Sequence, residues 1–338
     1  SSAASDVYKR QKGFNTSAIL GFVNTLEEVL KKENPTHIGV AFDPAGPTFR
    51  HEAFEQYKAQ REETPEAIRL SVPIIKDIIR AYRIPILEVA GYEADDVIGT
   101  LATEAGRQGI TTYMMTPDKD YGQLVSDKVF MYRPKHTGGF EVMGVEEVKA
   151  KFDIQSPTQV IDMLGLMGDS SDNIPGCPGV GEKTAQKLVS EFGSIENLLE
   201  HTDQLKGALK TKVETNREMI TFSKFLATIK IDVPIQLEMD ALVREEADEN
   251  SLRSIFEELE FRTLIDRVLK KDISGNGITS ATGSKVATGK SAPSPLPLFP
   301  EEGGAIQGDL FANFTGNEAG EAKKSNLETL ETLNCNYQ

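Results

Sequence analysis

The stretch GYEADDVIG, residues 91–99, places three carboxylates within four positions, at Glu93, Asp95 and Asp96. It joins an apolar run, IPILEVA at 84–90, to a helical pattern, DDVIGTLATEAGRQG at 95–109. Carboxylates this close repel one another, and keeping them ionised in a folded protein is costly unless a cation or a donor lies between them. The stretch therefore predicts a strand-to-helix junction that needs positive charge.

The same alternation of apolar runs and amphipathic helices extends on both sides of this junction. Short apolar runs at 37–43, 110–116 and 128–132 predict further strands, and alternation of this kind is typical of βαβ units. Beyond about residue 145 the pattern is almost entirely helical. We predict an α/β fold with a mostly parallel sheet flanked by helices over 12–145, followed by a helical subdomain over 146–270.

The two ends of the chain differ from this periodic part. Residues 1–11, SSAASDVYKRQ, have no periodicity and are interpreted as a leader that does not belong to the fold. Residues 271–338 begin with a stretch rich in Gly, Ser, Thr, Ala and Pro, which is typical of a flexible linker.

Composition sets broad limits on function. The net charge of −15 argues against a uniformly basic nucleic-acid-binding surface, although acids at a metal site and bases on a helix can coexist. The two cysteines fit no metal-ligand spacing, and four scattered histidines disfavour a zinc site. No apolar run approaches the roughly 20 residues of a membrane span, so we expect a soluble, cytoplasmic protein.

Acidic residues follow three of the predicted strands. Asp43 follows the run at 37–42, Glu93, Asp95 and Asp96 follow 84–90, and Asp118 and Asp120 follow 110–116. Because parallel strands end on one edge of a sheet, these groups should converge although they are distant in sequence. A fourth pair, Asp169 and Asp172, lies in a turn after a helix. Each acid alone also fits a helix cap or a turn residue.

A site made only of carboxylates favours hard divalent cations, Mg²⁺ or Mn²⁺. The number of acids exceeds the need of one ion. Pairs of metal ions about 3.5–4 Å apart are a recurring device for phosphodiester hydrolysis. The sequence therefore predicts a two-ion site acting on a phosphodiester.

Two stretches carry the bases expected of a nucleic-acid contact. In FRHEAFEQYKAQREETPEA, residues 49–67, five residues are predicted to share one helical face: Arg50, Phe54, Tyr57, Lys58 and Arg61. In IPGCPGVGEKTAQKL, residues 174–188, a Gly-rich turn precedes a helix that starts near Glu182, and Lys183 and Lys187 add charge at this anion-binding end. The alternatives are a solvated charged helix and an ordinary helix–helix connection.

Taken together, these motifs resemble the 5′ nuclease (flap endonuclease) domain of bacterial DNA polymerase I. The motifs that carry the resemblance are VAFDPAGPTFRHE, YKAQR, GYEADDVIGTLA, TPDKDYGQLV and MGDSSDNIPGCPGVGEKTAQKLV, in that order. The resemblance implies a nuclease that cuts DNA 5′ flaps and 5′ ends with two metal ions, during primer removal and repair. Its partners would be flap DNA and RNA primer–DNA hybrids, and we expect a monomer.

The resemblance also assigns roles by position. Lys58 and Arg61 would stabilise charge on the scissile phosphate, within a helical arch at about 48–80 to which Tyr57 belongs and near which Arg50 lies. Gly179, Gly181, Lys183 and Lys187 would form a helix-hairpin-helix that grips duplex DNA, with a K⁺ ion in some relatives. The metal ligands would be eight acids: Asp43, Glu93, Asp95, Asp96, Asp118, Asp120, Asp169 and Asp172.

Two features at the ends carry separate expectations. The family's first strand ends in a metal-binding Asp, and Asp6 lies in no comparable strand, so we expect impaired metal binding and activity. Near the other end, QGDLF resembles peptides that dock on the sliding clamp, through Gln307, Leu310 and Phe311. The alternative, a chance apolar spot in a polar tail, is the favoured one.

Three other functions compete with this interpretation. A PIN-type ribonuclease shares an acidic strand-edge site but usually lacks the arch and the helix-hairpin-helix. A phosphatase with an Asp nucleophile needs a D-x-D pair, which FDPAG does not provide. A non-catalytic DNA-binding fragment is the third, and separate assays of binding and cleavage distinguish it.

Overall fold

The computed structural model describes residues 16–135 and 138–269. The predicted leader at 1–11 and linker at 271–338, with Gln307, Leu310 and Phe311, lie outside the described residues. Five strands are present in this part of the chain: β1 Val40–Ala41, β2 Ile86–Leu87, β3 Thr112–Met115, β4 Val129–Pro134 and β5 Phe140–Met143. The helices are α1 Ser17–Lys32, α2 Phe49–Ala53, α3 Glu66–Ala81, α4 Ala94–Arg107, α5 Val145–Phe152, α6 Gln159–Met167, α7 Glu182–Phe192, α8 Ile195–Glu200, α9 Gly207–Thr215, α10 Arg217–Ala227, α11 Met239–Leu242, α12 Glu249–Glu258 and α13 Arg262–Leu269.

The strands form two small sheets. β1 pairs in parallel with β2, and β3 pairs in parallel with β4, whose other edge pairs with β5 in antiparallel register. The predicted α/β class with a mostly parallel arrangement is confirmed, and the antiparallel β5 was not foreseen. β1 and β2 are shorter than their apolar runs because pairing covers only Val40 with Ile86 and Ala41 with Leu87.

A cavity of about 990 Å³ is lined by residues of both sheets. The lining includes Val40 and Phe42, in and just after β1, and Met114 in β3. Apolar side chains of α1 and α4, such as Leu26 and Leu101, contribute to it. The lining also includes four acids: Asp43, Glu93, Asp95 and Asp118. The acids that follow the strands therefore face the same cavity as the two sheets.

One apolar core joins the two ends of the described chain. On α1, Ile19, Phe22, Val23, Leu26 and Leu30 are buried at spacings of three and four residues, which forms one helical stripe. This stripe belongs to a cluster that also contains residues of α3, α12 and α13. The last helices of the predicted subdomain at 146–270 thus return to the first part of the fold.

A second core contains the helices α6, α7, α8 and α10 together with β4. α6 and α10 pack along each other, and α7 packs on α6. The predicted start of α7 near Glu182 is confirmed, and Gly109, just past α4, has a positive φ of 77° as expected of a helix-terminating glycine. Within the described residues, no helix has the length and apolar character needed to cross a bilayer.

Candidate metal centre

The centre is built on the first turn of α4. Glu93 immediately precedes the helix, and Asp95 and Asp96 lie in its first turn. One carboxylate oxygen from each of the three lies within 4.8 Å of the others. The positive end of the helix dipole favours negative charge here, but it is equivalent to only about half a unit charge. Three carboxylates therefore need further cations.

The predicted convergence of strand-end acids is present in the structure. Asp43, after β1, accepts a hydrogen bond from the Ala94 backbone N–H at 2.5 Å, which ties it to the head of α4. Asp118, after β3, accepts one from the Asp120 N–H at 2.8 Å. Acids from three segments line one small cavity of about 10 Å³: Asp95, Asp118, Asp120 and Asp172.

Asp169 and Asp172 reach the centre from the turn after α6. Asp169 accepts a hydrogen bond from the Ser171 N–H at 2.7 Å, and Lys119 Nζ lies 2.8 Å from its other oxygen and 3.6 Å from Asp120. Asp169 thus has the hydrogen bond of a turn residue, as the alternative interpretation of this acid predicts, and Lys119 links it to Asp120 after β3. Asp172 faces the cavity directly.

Two neighbouring acids have opposite pKa shifts. Burial raises the pKa of Glu93, but the nearby charges of Lys58 and Arg50 outweigh it and lower the pKa to about 2. The pKa of Asp95 is raised well above its usual value, by burial first and then by Asp96 and Glu93. Glu93 has cations beside it, whereas Asp95 lies mainly among anions.

The residues present fit a hard divalent cation. Among the described residues, Asp95 Oδ1 is buried and has no hydrogen-bond partner, and every potential ligand in its group is a carboxylate oxygen. A cation beside Asp95 would satisfy this oxygen and offset the repulsion from Glu93. A cavity of about 10 Å³ is close to the volume of one water probe, so two ions would require the surrounding side chains to shift.

The basic segment at 54–61 does not have the predicted form. The expectation that Arg50, Phe54, Tyr57, Lys58 and Arg61 share one helical face is wrong, because α2 ends at Ala53 and Lys58 has a positive φ of 56°. The chain instead turns toward the loop after α6. There the Lys58 N–H donates to the Asp172 carbonyl at 3.0 Å, and Asn173 Nδ2 donates to the Gln56 carbonyl at 2.6 Å.

This turn brings Lys58 and Arg61 onto the acids. Lys58 Nζ lies 2.6 Å from Glu93 Oε1 and 4.0 Å from Asp172 Oδ2. Arg61 Nη2 lies 2.5 Å from Asp172 Oδ1. Both side chains are only 8% exposed. The two residues predicted to act on the phosphate therefore pair with carboxylates of the acidic cluster in this structure.

Arg50 and Tyr57 are not available as the predicted DNA contacts. They are 1% and 3% exposed, and the Tyr57 hydroxyl donates to Glu93 at 3.0 Å. The physical reason is that the acids of the cluster recruit both side chains inward. Lys183 and Lys187, by contrast, are exposed on α7, and Gly179 has a positive φ of 75° in the turn before it. Their contact with duplex DNA, with Gly181 at the helix start, stays a prediction.

Sequence reasoning missed Lys119 and Gln123. Lys119 lies between two acids in the motif TPDKD, so a cation joining acids was visible in the sequence. Gln123 donates to the Ala227 carbonyl at 3.0 Å and accepts from the Ile229 N–H at 2.8 Å. Nothing in the local sequence indicates that partner, because the two segments are more than 100 positions apart.

Comparison with known families agrees with this architecture. Residues 2–153 match the model of the 5′-3′ exonuclease N-terminal resolvase-like domain, and residues 155–250 match that of the 5′-3′ exonuclease C-terminal SAM fold. The first match begins within the segment interpreted as a leader. Together the two matches cover most of the chain.

Curated relatives include DNA polymerase I of Bacillus subtilis (strain 168), 44% identical over 259 residues, and that of Bacillus caldotenax, 42% identical over 259 residues. Each alignment covers 76% of this chain and 29% of the relative. The chain thus spans less than a third of the length of these relatives.

Solved structures share the fold at low sequence identity. A T5 5′-exonuclease described with bound divalent metal ions (zinc) aligns with a TM-score of 0.56 and 20% identity, covering 74% of this chain and 94% of the exonuclease. The catalytic core of Rad2 in complex with DNA substrate aligns with a TM-score of 0.52 and 16% identity, covering 78% and 87%. Because the two family models together match most of the chain, it belongs to the 5′-3′ exonuclease family, with both its resolvase-like and its SAM-fold domains.

Proposed function

We propose that this chain is a divalent-metal-dependent 5′ nuclease that cuts DNA 5′ flaps and trims 5′ ends, within a DNA polymerase I. The observation that carries the proposal is the meeting of acids from three separate segments around the buried, unpartnered Asp95 Oδ1. The T5 and Rad2 relatives, described with metal ions and with DNA substrate, support the same chemistry.

The proposed ions are two Mg²⁺ or Mn²⁺. The ligands would be Asp43, Glu93, Asp95, Asp118, Asp120, Asp169 and Asp172, some of them through water. When bound, such ions lower the pKa of a water nucleophile and stabilise the leaving oxygen. Asp96 is proposed to support the site without binding a metal ion itself, because each of its two carboxylate oxygens already accepts two hydrogen bonds.

Lys58 and Arg61 would change partners during the reaction. Both now contact carboxylates, Lys58 on Glu93 and Arg61 on Asp172. If those carboxylates were neutralised by a bound cation, the two side chains would be available to the scissile phosphate. Preorganised cations of this kind stabilise the charge that develops in the transition state.

The experiment measures binding and cleavage separately on one 5′-flap DNA, with Asp95→Asn and, as a matched control, Asp232→Asn at an exposed position. We expect the wild type to cleave with Mg²⁺, Asp95→Asn to bind but not cleave, and Asp232→Asn to behave as the wild type. Binding without cleavage by the wild type would instead support the non-catalytic alternative. Preferential cleavage of single-stranded RNA would support the PIN-type alternative.

Several finer assignments are proposed on the resemblance alone. They are action on RNA primer–DNA hybrids, a K⁺ ion at the turn before α7, a monomeric state and clamp docking through Gln307, Leu310 and Phe311. For the last, Phe311→Ala should weaken binding to the sliding clamp, and an unchanged affinity would reject it.

A further inference from the structure

Arg50 has an environment that its predicted contact with DNA does not explain. Its Nη1 donates to Glu93 at 2.6 Å and to Asp96 at 2.8 Å. Its Nη2 donates to Asp96 at 2.8 Å and to the Thr228 carbonyl at 2.7 Å, and its Nε donates to the Leu226 carbonyl at 2.9 Å. A guanidinium has five N–H donors, so every donor of Arg50 has an acceptor.

Asp96 is equally saturated from the other side. Its Oδ1 accepts from Arg50 and from the Lys230 N–H at 2.8 Å, and its Oδ2 accepts from Arg50 and from the Glu93 N–H at 3.1 Å. The carboxylate is fully buried. The bidentate pair of Arg50 and Asp96 is therefore a fixed unit, and Glu93 is the potential metal ligand that it contacts.

The carbonyls that Arg50 binds lie at the end of α10. Gln123 holds the intervening Ala227 carbonyl and the Ile229 N–H, and Asp96 holds Lys230. α10 packs along α6, the helix that leads into the turn carrying Asp169 and Asp172. Arg50 and Gln123 both donate to carbonyls at this helix end. Arg50 also contacts Glu93, whereas the hydrogen bonds of Gln123 within the described residues do not involve that acid.

We propose that Arg50 is a positioning residue for the metal centre: it fixes Glu93 Oε2 and holds the acid cluster of α4 at a fixed position relative to the end of α10. This inference rests on the proposed function. The orientation of the helical part of the fold is thereby coupled to the geometry of the acids, through one guanidinium. A residue that fixes a metal ligand from behind commonly changes metal affinity by 10- to 100-fold when it is replaced.

The test compares Arg50→Lys with Gln123→Met, using Mn²⁺ alone as the probe and electron paramagnetic resonance to count bound ions. Lysine keeps the charge but cannot bridge Glu93, Asp96 and two carbonyls. Gln123→Met loosens the same turn without touching Glu93. We expect Arg50→Lys to weaken Mn²⁺ binding by about 10- to 100-fold and Gln123→Met by less than about twofold.

Cleavage and DNA binding provide the second readout. On the 5′ flap, Arg50→Lys should lower kcat with little change in KM, and affinity for the flap in EDTA should stay within about twofold of the wild type. Equal Mn²⁺ affinity in Arg50→Lys and the wild type overturns the proposal, as does an equal loss in Gln123→Met. A wild type that binds Mn²⁺ but leaves the flap intact counts against the proposed function alone, whereas one that binds no Mn²⁺ overturns both.

Discussion

The two oxygens of Glu93 are held by two cations from very different settings. Arg50, on α2, contacts Oε2 at 2.6 Å, and Lys58, on the turn at 54–61, contacts Oε1 at 2.6 Å. Arg50 also binds two backbone carbonyls and the bidentate Asp96, whereas a second carboxylate, that of Asp172, lies 4.0 Å from Lys58 Nζ. Under the proposed function, Arg50 is part of the scaffold, whereas Lys58 would be exchanged for a metal ion.

The largest difference between Arg50 and Lys58 is expected in protein stability. Arg50→Met should lower the free energy of unfolding by about 3–5 kcal/mol, because Asp96 and Glu93 would remain as buried anions without that partner. Lys58→Met should cost about 1 kcal/mol or less, since Glu93 keeps Arg50 and Tyr57. Urea unfolding in EDTA measures both. Equal losses for the two variants would contradict the distinction between a scaffold cation and an exchangeable one.

For catalysis, Lys58 is expected to matter more than it does for stability. Lys58→Ala is expected to reduce kcat on a 5′ flap by about 10²–10³-fold, the typical cost of removing one preorganised group that stabilises transition-state charge. The exposed Lys32, which pairs with Glu28, supplies the matched control Lys32→Ala. Single-turnover cleavage measures the effect, and a Lys58→Ala rate within twofold of the control would remove Lys58 from the reaction.

The Asp95 carboxylate is expected to lower the free energy of unfolding, as the cost of keeping a potential metal ligand buried. In EDTA at neutral pH, Asp95→Asn should raise the free energy of unfolding by about 1–3 kcal/mol, because it removes a buried carboxylate whose oxygen lacks a partner. The folded pKa of Asp95 is raised above its usual 3.8, so this gain should shrink as the pH falls through the folded pKa and disappear below 3.8. Thermal unfolding with and without Mg²⁺ measures it.

The same variant has a second expected outcome. Mg²⁺ should raise the melting temperature of the wild type but not that of Asp95→Asn, because binding to the folded state alone stabilises it. The exposed Asp232→Asn should retain the Mg²⁺ response. An Asp95→Asn protein that is both less stable in EDTA and still stabilised by Mg²⁺ would place the metal elsewhere.

The smallest expected effect is on the free energy of unfolding at acidic pH. Glu93 has a folded pKa of about 2 against a usual 4.5, so the unfolded chain binds more protons between these values. Its contribution is therefore fully present above pH 4.5 and lost as the pH falls through about 2. Lys58→Met should reduce this loss by removing the larger of the two cationic influences on Glu93. Unfolding by urea across this pH range in EDTA measures the difference, and identical slopes would contradict it.

Local patterns predicted the helices better than the strands. The bounds of α7 agree with the run EKTAQKLVSEF, because its apolar positions repeat with the helical period and a Gly precedes it. The strands β1 and β2 are only two residues long, since strand length depends on a partner that periodicity does not reveal. The convergence of the acids followed from a rule about parallel strands and not from any single motif.

The sequence by itself determined that carboxylates would meet at the strand ends and that bases would follow Asp43, since both depend on residue type and local order. Only the tertiary structure decided which base serves which purpose. Arg50 and Lys58 are eight positions apart, yet one binds carbonyls 176 and 178 positions away and the other lies on a turn. Burial and the number of acceptors around each cation are set by chain segments distant in sequence, so the roles of these two residues emerge only in the folded protein.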